Sequence, residues 1–92
     1  DDYLLMAYEI DNSRADVFYI QGNIINKGEE TVSSISICFK LYDEIGNFID
    51  EINVPCPVKS IDAGDGAYFD YIYDEPVQVK WIRPFGFEYT LR

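Results

Sequence analysis

Residues 35–43 read ISICFKLYD and are followed by EIGN at residues 44–47. The large apolar side chains of this stretch recur at every second position, with serine, lysine and tyrosine between them. A period of two is typical of a strand with one buried face. Gly46 and Asn47 tolerate a positive φ, which favours a short turn. We therefore predict a strand, a hairpin turn and a returning strand that starts near Phe48.

Strand signals of the same kind recur along the rest of the chain. Apolar or alternating runs bounded by turn residues predict strands at 3–10, 17–26, 31–43, 47–54, 67–73, 77–82 and 85–91. In the last run, the residues predicted to share one face are Phe85, Phe87, Tyr89 and Leu91. Gly22 predicts a close approach or a bulge, and Ile61 is predicted to anchor a loop at 58–66. Six or seven short strands predict an all-β, antiparallel β-sandwich, as a single domain over residues 1–92.

The composition agrees with a β-rich domain and excludes some partners. Hydrophobic residues make up 48 % of the chain, and eight Tyr, six Phe and one Trp favour strands. The net charge of −10 repels phosphate groups, so we expect neither nucleic acid nor an anionic membrane surface as a partner. No apolar run approaches the length of a membrane-spanning helix, so we predict no membrane insertion by this segment.

The chain lacks the residue patterns of common catalytic and metal sites. It contains no histidine, the usual general base, and Cys38 and Cys56 have no metal-ligand spacing. Residues 62–66, DAGDG, are interpreted as a turn. The acidic pairs are interpreted as solubilising surface charge, with calcium binding as the alternative. We predict no catalytic residue, no cofactor and no metal ligand, and therefore no enzyme.

The two cysteines leave two alternatives open. If paired residues of the hairpin sum to about 91, Cys38 faces residue 53, and Cys56 lies three residues further along the strand. That separation of about 10 Å exceeds the roughly 7 Å between Cα atoms that a disulfide allows. We favour two unpaired thiols. A bridge through a bend at 55–57 is the alternative.

Four short motifs, in order, resemble the FxLYD family of bacterial and archaeal domains. They are FKLYD at 39–43, GNIINKG at 22–28, IDAGD at 61–65 with Phe69, and FEYTL at 87–91. The similarity covers about residues 17–91, with Ala63 where the family has proline. The resemblance implies an immunoglobulin-like β-sandwich of secreted, lipid-anchored or cell-envelope bacterial proteins, without a catalytic site. It also implies that Asp43 bonds the amides of the turn.

Two functions follow as expectations. The first is a non-catalytic structural or interaction module, extracellular or in the cell envelope, whose partners are other domains of a longer parent chain or envelope proteins. The start at Asp1 agrees with a mature product or a segment of a longer protein. The alternative is a module that binds a glycan or peptide through an aromatic-acidic face. The residues assigned to that face are Tyr68, Asp70, Trp81 and Arg83.

Overall fold

The computed structural model describes residues 1–14, 17–75 and 78–91. Within these ranges the chain forms seven strands in two antiparallel sheets and no helix. The strands are β1 Leu4–Asp11, β2 Phe18–Asn26, β3 Val32–Tyr42, β4 Phe48–Pro55, β5 Ser60–Ile61, β6 Gly66–Tyr73 and β7 Trp81–Leu91. The predicted all-β, antiparallel β-sandwich is confirmed, with the short strand β5 in place of part of the predicted loop.

Each sheet has a central strand. The first sheet has the order β1-β2-β6. In the second, β3 pairs with β7 along its whole length and with β4 and β5. Because a strand has only two edges, β4 and β5 share the edge of β3 that β7 does not use. The predicted register of the hairpin is confirmed, since Cys38 pairs with Asn53.

The two strands predicted at 77–82 and 85–91 are one strand in the structure. Residues 78–80 are not in a strand, and residue 77 lies outside the described residues. The prediction was wrong because Pro84 does not end the strand: β7 lies at an edge of the described sheet, where proline is tolerated. The pairing of β7 with β3 shifts by one residue between Gly86, which faces Cys38, and Pro84, which faces Phe39. This bulge lets the strand continue on both sides of Pro84.

The core lies between the sheets and follows the predicted alternation of β3. Ile37, Phe39 and Leu41 are fully buried, whereas Lys40 and Tyr42 on the other face are partly exposed. The other apolar side chains of the core are Leu4, Phe18, Ile20, Ile24, Val32, Ile35, Ile52, Val54, Ile61, Phe69, Tyr73 and Val79. Ile61 is 3 % exposed, so it anchors its segment as predicted.

Gly22 permits a close approach between strands, as the sequence predicted. It pairs with Tyr8 on one side and with Phe69 on the other. A Cβ atom at this position would overlap the carbonyl oxygen of Ala7 and would lie 2.9 Å from the Cα of Tyr8 and 3.0 Å from the Phe69 ring. A side chain here would therefore force β1 and β2 apart.

Asn26 is a fully buried polar side chain that joins three segments. Its Nδ2 donates hydrogen bonds to the carbonyl oxygens of Glu30 at 2.7 Å and Ile61 at 2.9 Å. Its Oδ1 accepts one from the backbone N–H of Gly28 at 2.9 Å. The amide thus fixes the turn after β2 and ties that turn to β5.

The turn after β3 depends on one carboxylate. Oδ1 of Asp43 accepts hydrogen bonds from the backbone N–H of Ile45 at 3.1 Å and of Asn47 at 2.8 Å. Gly46 supplies the positive φ of +91° in this turn. The role that the family resemblance implied for Asp43 is therefore confirmed.

Tyr73 links the two sheets through its hydroxyl group. Its side chain is 6 % exposed, and its O–H donates to Oδ2 of Asp50 on β4 at 3.1 Å. Burial, followed by this hydrogen bond, raises the pKa of Tyr73 to about 12. Both effects favour the neutral phenol in the folded protein, because ionisation would leave a buried negative charge beside a carboxylate.

This raised pKa predicts a loss of stability at high pH. The pKa of tyrosine in the unfolded chain is about 10, so the stabilising contribution is complete below about pH 10. It is lost as the pH rises through the folded pKa of about 12. Urea unfolding at a series of pH values should therefore show a steeper decline for the wild type than for Tyr73→Phe. Tyr68→Phe, which changes an exposed tyrosine, is the control and should decline as the wild type does.

Candidate functional site

The four residues predicted for a binding face lie on two different sheets. Tyr68 and Asp70 point outward from β6 in the first sheet. Trp81 and Arg83 are exposed on β7 in the second sheet. The structure therefore distributes them over two outward faces and does not assemble one aromatic-acidic face from all four. Their role in ligand binding stays a prediction.

The outward face of the first sheet carries a shallow depression, here called the polar hollow. Its volume is about 460 Å³. The outward side chains that define it are Ala7, Glu9, Gln21, Asn23 and Tyr68. The register places Ala7, Asn23 and Tyr68 in one row across the sheet and Glu9, Gln21 and Asp70 in the next. The small side chain of Ala7 leaves room beside the long side chains of the neighbouring strands.

One hydrogen bond orients the aromatic ring of the polar hollow. Tyr68 donates its O–H to Oε1 of Gln21 at 3.0 Å, while the side chain as a whole stays 52 % exposed. Because Gln21 lies on the adjacent strand, diagonal to Tyr68 in the register, the ring leans across the sheet. Among the described residues, the side chains of Glu9, Asn23 and Asp70 form no hydrogen bond, so their polar atoms face solvent.

The outward face of the second sheet carries three aromatic side chains in one row. Tyr42 pairs with Phe48 on β4 and with Trp81 on β7, and we call these three residues the aromatic row. The rings of Tyr42 and Phe48 meet edge to face, with centroids 6.0 Å apart. Phe48 is 57 % exposed and Trp81 is 54 % exposed. Tyr42 and Phe48 were not predicted as neighbours of Trp81, because that arrangement depends on the pairing of β3 with the distant β7. A bulge after Leu41 also places Phe48 opposite Tyr42.

Cationic side chains lie beside the aromatic row. Lys80 places its Nζ 6.0 Å from the centre of the Trp81 ring, and Lys40 places its Nζ 5.0 Å from the centre of the Phe85 ring. Both arrangements are cation–π contacts. The expectation that Phe85 shares the inward face of Phe87 is wrong, since the register shift beside Gly86 leaves Phe85 46 % exposed.

The thiol of Cys38 in this sheet is poorly reactive. Both Cys38 and Cys56 are unpaired thiols. Cys38 is buried and its Sγ donates to Oδ1 of Asn53 at 2.9 Å. Burial, and then the charges of Glu88 and Glu51, raise the pKa of Cys38. A thiol with a raised pKa forms little thiolate and is a poor nucleophile.

Two classes of site are not found in the described part of the chain. At residues 1–14, 17–75 and 78–91, no three side chains from histidine, cysteine, aspartate and glutamate are grouped so that they could hold a metal ion. Those same residues form no helix with the length and apolar character needed to span a membrane.

Comparisons with known proteins support the fold. No known family model matches the chain, so its resemblance to the FxLYD family stays a prediction. No curated protein matches it either. Among solved structures, it is similar to the X-ray structure of Northeast Structural Genomics Consortium target SoR45, with a TM-score of 0.53 and 14 % identity. The similarity covers 96 % of this chain and 77 % of that one. At this identity the likeness concerns the fold alone.

Proposed function

We propose that this domain is a non-catalytic interaction module of a secreted or cell-envelope bacterial protein, in line with its resemblance to the FxLYD family. The observation that carries the proposal is the aromatic row. Three neighbouring aromatic side chains lie on the outward face of a sheet, two of them more than half exposed. Contiguous exposed apolar side chains of this size typically mark an interaction surface.

The composition around the aromatic row also fits a protein interface. Tyrosine, tryptophan, phenylalanine and arginine are enriched in such interfaces, and Arg83 lies on the same outward face as Trp81. Lys40 pairs with Arg83 in the register, next to the pair formed by Tyr42 and Trp81. We propose that a neighbouring domain of the parent chain covers this face.

The fluorescence of Trp81 tests the proposal, because it is the only tryptophan of the chain. We expect its emission to shift to shorter wavelength, and its quenching by acrylamide to fall, when the domain is part of the full-length parent with the other tryptophans replaced. The matched control moves the reporter to the opposite face through Tyr68→Trp in a Trp81→Phe background. Equal emission and quenching of Trp81 in the isolated domain and in the parent would contradict the proposal.

A second candidate function is ligand binding at the polar hollow, the part of the predicted aromatic-acidic face that contains Tyr68 and Asp70. It is favoured by a separate observation. The Tyr68 ring is held by Gln21 yet half exposed, and it is surrounded by amide and carboxylate groups that face solvent. An aromatic ring combined with hydrogen-bonding groups suits a glycan or a peptide.

A further inference from the structure

We propose that the polar hollow binds an uncharged glycan chain, with one sugar ring stacked on Tyr68. This inference rests on the second candidate function above and gives it a ligand class. Three features of the first sheet carry it: an oriented aromatic ring, a balanced set of hydrogen-bonding groups, and the absence of positive charge from its strands.

The ring of Tyr68 is held in place for stacking before a ligand binds. Its hydroxyl is fixed to Oε1 of Gln21 at 3.0 Å, so the ring loses little conformational freedom when a ligand arrives. The side chain is 52 % exposed, so part of the aromatic ring is open to solvent. The C–H groups on one face of a pyranose ring are apolar and pack against such a surface.

The groups around Tyr68 match the hydroxyls of a sugar. Because Oε1 of Gln21 accepts the Tyr68 hydroxyl, its Nε2 is left as a donor pointing away from that bond. Asn23 supplies both a donor and an acceptor, and Glu9 and Asp70 supply acceptors only. Each sugar hydroxyl donates one hydrogen bond and accepts others, so it can use all of these groups.

The charge of this face disfavours an acidic glycan. Strands β1, β2 and β6 contain no lysine or arginine, whereas Glu9 and Asp70 lie in the central row of their outward face. The whole chain carries a net charge of −10. Glycans rich in uronic acids and acidic peptides would therefore be repelled. An extended neutral peptide is also a poorer match, because peptides bind sheets mainly by adding a strand to an edge, and the hollow lies on a face.

The shape of the surface fits a chain of several sugars. A second depression of about 510 Å³ adjoins the polar hollow and shares Glu9 and Gln21 with it. Tyr19, which lies in the next outward row beyond Gln21, lines this second depression. A linear glycan that stacks on Tyr68 can thus continue over Gln21 towards a second aromatic side chain.

An NMR titration of the ¹⁵N-labelled domain tests the inference. The ligands are cellohexaose, maltohexaose, fully N-acetylated chitohexaose and hexagalacturonate, and the chemical shifts of the backbone amides are followed. We expect at least one of the three uncharged hexasaccharides to shift the amides of residues 7–9, 19–23 and 68–70. Tyr68→Ala should raise its Kd at least about tenfold, and Gln21→Ala should raise it several-fold. Trp81→Ala, which removes an exposed aromatic side chain from the opposite face, is the matched control and should leave the Kd unchanged.

The alternative outcomes test the location of the site and the class of ligand separately. Shifts confined to residues 42, 48 and 81 would overturn the polar hollow as the site but keep the domain as a glycan-binding module. Binding of hexagalacturonate alone would overturn the uncharged ligand class. If no saccharide binds, this inference is wrong. Peptide binding at the polar hollow and the interaction module with its covered aromatic row are separate proposals and are unaffected.

Discussion

Replacing Phe39 with alanine is expected to lower the free energy of unfolding by about 3–5 kcal/mol. The Phe39 ring is fully buried at the centre of the core, and the Tyr8 ring packs against it edge to face with centroids 5.7 Å apart. The substitution removes this contact and leaves a cavity between two sheets that cannot close over it. Because small domains have a total stability of about 5–15 kcal/mol, a large share would be lost. Urea unfolding followed by circular dichroism measures the change.

Phe85→Ala is the matched control for Phe39→Ala. Phe85 is also a phenylalanine but is 46 % exposed, and its ring lies 5.0 Å from the Nζ atom of Lys40. Replacing Phe85 with alanine should lower the free energy of unfolding by less than about 1 kcal/mol. Should Phe39→Ala unfold too completely to measure, Phe39→Leu gives a smaller loss in the same direction. Similar losses at positions 39 and 85 would contradict the assignment of the core.

Replacing Asn26 with aspartate is expected to lower the free energy of unfolding by about 3 kcal/mol at neutral pH. The change keeps the size of the side chain and removes the Nδ2 group, which donates to the carbonyl oxygens of Glu30 and Ile61. A carboxylate would point an oxygen at both carbonyls in a site with no exposure to solvent. Repulsion and the cost of burying a charge act together here.

Asn23→Asp provides the control for Asn26→Asp on the same strand. Asn23 points outward into the polar hollow, so an added charge there stays hydrated and should change the stability by less than about 0.5 kcal/mol. Thermal unfolding monitored by circular dichroism compares both variants with the wild type. If both changes lowered the stability equally, the cause would be the added negative charge on an acidic protein. The loss could then not be assigned to the buried hydrogen bonds of Asn26.

Local sequence patterns were sufficient to predict the buried face and the pairing of strands whose partners lie nearby in the chain. The alternation around Phe39 predicted which face of β3 is buried, and the turn residues predicted the pairing of Cys38 with Asn53. The resemblance to a family supplied the role of Asp43 in the turn. Simple alternation failed in β7, because the bulge beside Gly86 depends on how that strand pairs with the distant β3.

The two candidate faces show where the tertiary structure adds to the sequence. Tyr68 and Asp70, which the sequence assigned to one binding face, are two residues apart in one strand and do share a face of β6. The amino-acid order did not show that Trp81 lies in the other sheet, or that Tyr42 and Phe48 are its neighbours. Side-chain direction within a strand follows from the geometry of one chain segment. Which strands become neighbours depends on pairing between segments far apart in the chain, and a single bulge in that pairing changes the set of side chains that meet at a surface.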